Sequence, residues 1–171
     1  MNSPLIRVLT PDDASAYRAL RLRGLREHPD AFTSSYEEDV QHPLAVTAAR
    51  LATPRVTLWG GFVQGLLSGV VGLERETRAK NRHKATVVGM YVAPEAAGQG
   101  LGRALLAALL AQARAEPLQL LVLTVTQGNV QAQRLYEHCG FRSFGIEPKA
   151  IQVAGTFFAK NHMALDLGAP S

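Results

Sequence analysis

Apolar positions change their period several times along the chain, and each change marks an element. Residues 5–9, LIRVL, alternate enough to read as a short strand. Thr10, Pro11, Asp12 and Asp13 then supply a hydroxyl cap, a proline suited to the first helical position, and carboxylates for the positive end of a helix. Tyr17, Leu20, Leu22 and Leu25 give that helix an apolar face, and His28-Pro29 breaks it. A second helical region covers residues 35–51. Pro43 splits or kinks it, because proline lacks a backbone donor and clashes with the preceding turn.

The uncharged run at residues 56–73 is interrupted by Gly60, Gly61, Gly65, Gly69 and Gly72 and resolves into a hairpin. Its strands cover residues 56–63 and 66–74 about a Gln64-Gly65 turn. Residues 77–83 form a basic, polar loop. Residues 84–92, KATVVGMYV, are β-branched and mostly apolar, as a central strand is, and Gly89 marks a bulge or a close backbone approach. Leu101, Leu105 and Leu109 share a helical stripe that Leu106, Leu110 and Ala113 widen, so this helix packs a broad face onto the sheet until Pro117 ends it. Residues 118–126, LQLLVLTVT, are continuously apolar, the pattern expected of a strand covered on both faces. Asn129 caps a short helix carrying Ala132, Leu135 and Tyr136, and Gly140 suits its left-handed C-terminal cap. Residues 141–147 and 157–167 read as two final strands. With no internal repeat or second unit in the pattern, residues 1–171 are expected to form one domain.

Composition adds limits to this outline. A chain of 171 residues, 47% hydrophobic and 19% charged, suits a globular protein with a sizeable core. The net charge of +4 leans toward anionic partners, yet no dense Lys/Arg run interleaves with aromatics, so nucleic acid is not expected as a partner. Cys139 stands alone, which excludes an internal disulfide and fits a reducing compartment. The N-terminal MNSPLIRVLTPDD lacks the layout of an export signal, and the longest uncharged run falls short of a span of roughly 20 apolar residues. A cytoplasmic location without membrane contact is therefore expected. His28, His42, His138 and His162 are scattered, with no i, i+4 pair and no Cys/His cluster, so no metal site is expected. Cys139, beside the capping glycine, reads as a packing residue.

The chemistry concentrates in the loop before the long helix, where Gly98, Gly100 and Gly102 alternate. A helix start offers unpaired N–H groups and a positive dipole end, so it attracts anions and phosphates above all. A dinucleotide site would need G-x-G-x-x-G in a first βαβ unit and an acidic residue about 20 positions on. Here the spacing is G-x-G-x-G and position 122 is Val. A nucleotide-triphosphate loop would need a Lys and a hydroxyl after the last glycine, and neither follows Gly102. Two readings stay open from spacing alone: a phosphate cradle, or a turn that merely packs strand against helix.

The segment VAPEAAGQGLGRALL resembles the acetyl-CoA loop of the GNAT superfamily of N-acetyltransferases, V-x-P-x-x-[R/Q]-G-x-G-[I/L]-G. Asn129, Ala132, Leu135-Tyr136 and Gly140-Phe141 match a second family pattern, N-x-x-A-x-x-L-Y-x-x-x-G-F, at the expected distance. The resemblance implies a mixed, mostly antiparallel sheet of about seven strands flanked by about four helices. It implies acetyl transfer from acetyl-CoA, as cosubstrate, to an amine acceptor, with a homodimer as an assembly to test. It places the CoA pyrophosphate on Ala97, Gly98, Gln99, Gly100, Leu101, Gly102 and Arg103, and the pantetheine arm along Met90, Tyr91 and Val92, where a backbone amide polarises the thioester. Ala97 stands where the family has Arg or Gln, which removes a side chain but no amide. Asn129 lies near the CoA arm as well as capping its helix. Tyr136 occupies the position of the acid that protonates the CoA sulfur, and a half-buried packing role fits it too. The family's frequent glutamate on the strand at residues 84–92 is absent, which leaves Glu74, Glu76 and His83 as candidate bases. The acceptor pocket is expected around residues 32–36 and 155–161; Glu37, Glu38 and Asp39 suit either the attraction of a cationic amine or a helix start, and carboxylates on the last strand are few, so a strongly polycationic acceptor is not expected. A catalytically silent acyl-CoA-binding module is the alternative function.

Overall fold

The computed structural model describes residues 3–168. Its elements run in the order β1 (Leu5–Val8), α1 (Ala14–Glu27), α2 (Tyr36–Asp39), α3 (Leu44–Ala52), β2 (Val56–Val63), β3 (Leu66–Arg75), β4 (Lys84–Val92), α4 (Leu101–Ala115), β5 (Leu120–Thr126), α5 (Val130–His138), β6 (Arg142–Val153) and β7 (Thr156–Asp166). The strands form one seven-stranded sheet in the order β1-β2-β3-β4-β5-β7-β6, antiparallel throughout except between β4 and β5. This is the mixed, mostly antiparallel architecture expected.

Local chemistry explains most boundaries. Pro43 separates α2 from α3 by serving as the residue before the first turn of α3. Ahead of α1, Thr10 is the cap residue expected, and it forms a capping box with Asp13. The Asp13 carboxylate accepts from the Thr10 N–H at 2.8 Å and from the two terminal Arg7 guanidinium nitrogens at 2.9 Å. Strand β6 also runs past residue 147, where the pattern suggested that it would stop. Pairing with β7 jumps from Glu147↔Lys160 to Ile151↔Phe158, so Pro148 falls in an irregularity of an edge strand where its missing N–H breaks no ladder.

Two cores lie on opposite faces of the sheet. One packs Leu105, Leu106 and Leu109 of α4 against Trp59, Val71, Leu73, Leu121, Leu123 and Met163. The other packs Tyr17 and Leu20 of α1, with Leu51 of α3, against Leu58, Val70 and Tyr91. Each fully buried Leu contributes about 1.5–3 kcal/mol, which secures both helical layers. Strand β5 departs from the expected two-sided burial. Leu121, Leu123 and Val125 face the α4 core, whereas Val122 is only half-buried and Thr124 is exposed. Its second face borders a cavity.

Candidate active site

The sheet is unzipped at its centre. Strands β4 and β5 pair only through Lys84↔Leu120, Ala85↔Leu121 and Thr86↔Val122, although β4 continues to Val92 and β5 to Thr126. Beyond Thr86 the backbone groups of β4 on the β5 side therefore have no strand partner. A bulge at Gly89 sharpens this divergence. Gly89 has a φ of +63°, and the pairing with β3 slips between Val70↔Tyr91 and Gly72↔Val88. The slip also changes the phase of the strand: Ala85 and Val87 face the α4 core, and so do Met90 and Val92, while Tyr91 turns to the α1 core. Without the extra residue Tyr91 would point the other way.

The glycine loop follows directly. Gly98 and Gly100 have φ of +78° and +74°, and a β-carbon at either would meet nothing within 4 Å, so their backbone borders open space. Gly100 precedes the first turn of α4, whose first internal bond runs from the Ala104 N–H to the Gly100 carbonyl. The N–H groups of Leu101, Gly102 and Arg103 are thus free to meet an anion. Gly102 is small for a different reason. A β-carbon there would sit 3.1 Å from Leu135 Cδ2, so this glycine lets α4 approach α5. An ion network holds the loop's entry: Arg23 donates to Glu95 at 2.6 and 2.8 Å and to Glu27 at 2.9 Å, and the Tyr91 hydroxyl donates to Glu27 at 2.9 Å. Burial, then the Glu27 bond, push the Tyr91 phenol up to about 12, and the Arg23 bond holds the Glu95 carboxyl down at about 2.

On the opposite, α1 face a cavity of 750 Å³ opens against the split. Its floor is Thr86, Val88 and Gly89 of β4 with Val122 and Thr124 of β5. Its walls come from α1 (Tyr17, Arg18, Arg21), the segment with Phe32, Thr33 and Ser34, α3 (Thr47, Arg50), Glu74 of β3, and Lys160 and His162 of β7. An unpaired strand edge, a phosphate-ready helix start and a cavity meeting at one split can hold a long phosphorylated thioester on one side and an acceptor on the other.

Residues 22–141 match the model of the acetyltransferase (GNAT) family. The chain belongs to the GNAT family. An aminoglycoside N(6')-acetyltransferase type 1 of Stenotrophomonas maltophilia is 34% identical over 149 residues, which cover 82% of this chain and 87% of the relative. A phosphinothricin N-acetyltransferase of Alcaligenes faecalis is 27% identical over 143 residues, covering 82% and 71%. The protein yncA from Salmonella typhimurium, solved with its cofactor acetyl-CoA, shares the fold with a TM-score of 0.82 at 22% identity, over 99% of this chain and 97% of that one. This GNAT protein is an acyltransferase, in a family that draws its acetyl group from acetyl-CoA.

Within the GNAT frame the expected residues separate into groups. Met90 and Val92 carry the side chains on the α4 side of the split, and Tyr91 offers only its backbone there because its ring packs over Gly24 in the other core. Ala97 is exposed at the loop entry, its N–H donating to the Pro94 carbonyl at 3.1 Å. Asn129 Oδ1 accepts from the Ala132 N–H at 3.3 Å, the helix-cap role. Tyr136 is 6% exposed, in edge contact with Phe141 at 6.0 Å, and its hydroxyl bonds to no other residue among those described. Burial pushes its phenol well above the ordinary value. Of the candidate bases, only Glu74 reaches the cavity, and it is held by Arg55 at 3.1 Å and Arg50 at 3.8 Å. His83 lies exposed at the start of β4, away from the cavity walls, and Glu76 does not line the cavity either. The His83 carbonyl accepts from the Gln119 and Leu120 N–H groups at 2.8 and 3.2 Å, beside the start of the β4/β5 pairing. The residues that pattern reading did not single out are Arg18, Arg21 and Arg50, which face the cavity from α1 and α3. The polar residues of α1 at positions 18 and 21 are one helical turn apart, and that i, i+3 spacing was the signal available.

Proposed function

We propose that this protein acetylates the primary amine of a small acceptor by direct attack while acetyl-CoA and acceptor are both bound. The observation that carries the reading is the split between β4 and β5, with the cavity on one face and the free helix start of α4 beyond its other side. Acetyl-CoA supplies an activated thioester. The N–H groups of residues 98–103 receive the pyrophosphate, and the unpaired edge of β4 at Met90, Tyr91 and Val92 orients the pantetheine arm and polarises the carbonyl. The cavity holds the acceptor with its amine at the split. Glu74, which stands on the cavity wall, takes the proton the amine must lose, directly or through solvent.

Tyr136 donates a proton to the departing sulfur. Its burial keeps the phenol protonated at neutral pH, and the same desolvation raises the proton affinity of a thiolate formed beside it. The test is release of free thiol from acetyl-CoA in the presence of a broad amine panel, with acetyl-CoA affinity measured in parallel. Thiol release that depends on an amine is the expected result. Tight acetyl-CoA binding with no release from any amine would instead establish a silent binding module.

A further inference from the structure

The cavity on the α1 face carries more positive charge than negative, and the surplus has no counter-ion. Arg18, Arg21, Arg50 and Lys160 line it against two carboxylates, Asp39 and Glu74. Both carboxylates are already engaged, Asp39 by Arg21 at 2.7 Å and Glu74 by the arginines described above. Lys160 is 5% exposed, yet its ammonium makes no hydrogen bond or ion pair with any other described residue. Asp30 and Glu147 act on it only at a distance. Arg18 Nε is buried without a partner, while its terminal nitrogen donates to the Val40 and His42 carbonyls at 2.9 and 3.2 Å. Lys160 pairs through its backbone with Thr126, the last residue of β5, so its charge sits beside the splayed end of the split.

An ammonium that lines a cavity from a largely buried residue, with no protein partner, is incompletely solvated, and a second cation brought beside it adds repulsion. An anion entering the cavity relieves both, through a charge-assisted hydrogen bond. We infer that the acceptor is a small primary amine bearing an anionic group, a carboxylate or a phosphonate, which Lys160 binds from β7 while the amine reaches the split between β4 and β5. This deepens the acetyl-transfer reading and rests on it.

The experiment compares matched acceptors in the thiol-release assay: α-amino acids against their carboxamides, aminoalkylphosphonates against the corresponding alkylamines, and spermidine as a polycation. The anionic member of each pair is expected to be favoured about ten- to a hundredfold in kcat/KM, the worth of a hydrogen bond between charged groups. The better of the carboxylate and phosphonate series identifies the anion. Lys160→Met should bring that ratio close to one with acetyl-CoA affinity unchanged, and Lys160→Arg should keep most of it. If Lys160→Met melts before assay, Lys160→Gln reads the same ratio. Amides acetylated as well as acids, or spermidine preferred, would overturn this inference and leave acetyl transfer standing. An equal loss for every amine in Lys160→Met would overturn it too, assigning Lys160 to the amine's proton. No thiol release from any acceptor would remove both readings.

Discussion

Removing a single oxygen from Tyr136 separates chemistry from packing with little ambiguity. The Tyr136→Phe change keeps the ring and its edge contact with Phe141 at 6.0 Å. It deletes a hydroxyl that bonds to no other described residue, so the usual loss of about 0.5–1.5 kcal/mol for a broken hydrogen bond does not arise. Stability at neutral pH should therefore stay within about 0.5 kcal/mol of wild type. Turnover behaves differently if the hydroxyl protonates the leaving sulfur. A positioned acid is worth about 10²–10⁴ in rate, or about 2.7–5.5 kcal/mol of barrier. Single-turnover thiol release, calorimetric acetyl-CoA affinity and thermal melting, measured together, should show a large loss only in the first. Turnover within about threefold of wild type, where chemistry limits the rate, would refute the acid role. Alkaline stability gives an independent check. The folded phenol is raised above its ordinary 10.0, so its contribution to stability is complete below pH 10.0 and is lost as pH climbs above it. Tyr136→Phe should remove that part of the alkaline loss.

Gly102→Val and Gly100→Val should fail for different reasons. The first drives a β-carbon to 3.1 Å from Leu135 Cδ2 and should cost about 1–3 kcal/mol of stability by overpacking, read as a fall in melting temperature. The second has open space but a φ of +74°, so it costs about 1–2 kcal/mol of backbone strain and should weaken acetyl-CoA binding out of proportion to its melting temperature. A Gly102→Val protein that melts like wild type would remove the packing argument. Arg7, then the Thr10 N–H, hold the Asp13 carboxyl at about 2, below its ordinary 3.8, so its stabilisation is complete above pH 3.8 and is lost as pH falls toward 2. Asp13→Asn should therefore melt lower than wild type at neutral pH, with the two converging near pH 2. A gap that stays constant down that range would show that the ion pair contributes nothing.

The elements themselves were legible because their signals are local. The Gln64-Gly65 hairpin, the Pro43 break, the strand at Lys84–Val92 with its Gly89 bulge and the Asn129 cap each depend on residues within one turn or one pair of strands. The two linked motifs around Gly100 and Tyr136 carried the GNAT membership for the same reason. Tertiary structure decided what no local window contains. LQLLVLTVT reads as buried on both faces, yet β5 covers a cavity with Val122 and Thr124, because β4 diverges from it after Thr86. Gly102 looks like part of a phosphate cradle, and its missing side chain serves a helix contact to Leu135, more than thirty positions away. Glu74, Glu76 and His83 are equal candidates along the chain, and only the pairing of Glu74 with Thr86 on the cavity floor sends one of them to the cavity wall. Lys160 is one charge in a polar stretch of β7 until the sheet order β5-β7-β6 turns it toward Arg18, 142 positions earlier in the chain. Periodicity reports which side of a strand is apolar, whereas the pairing of distant strands determines what that side meets.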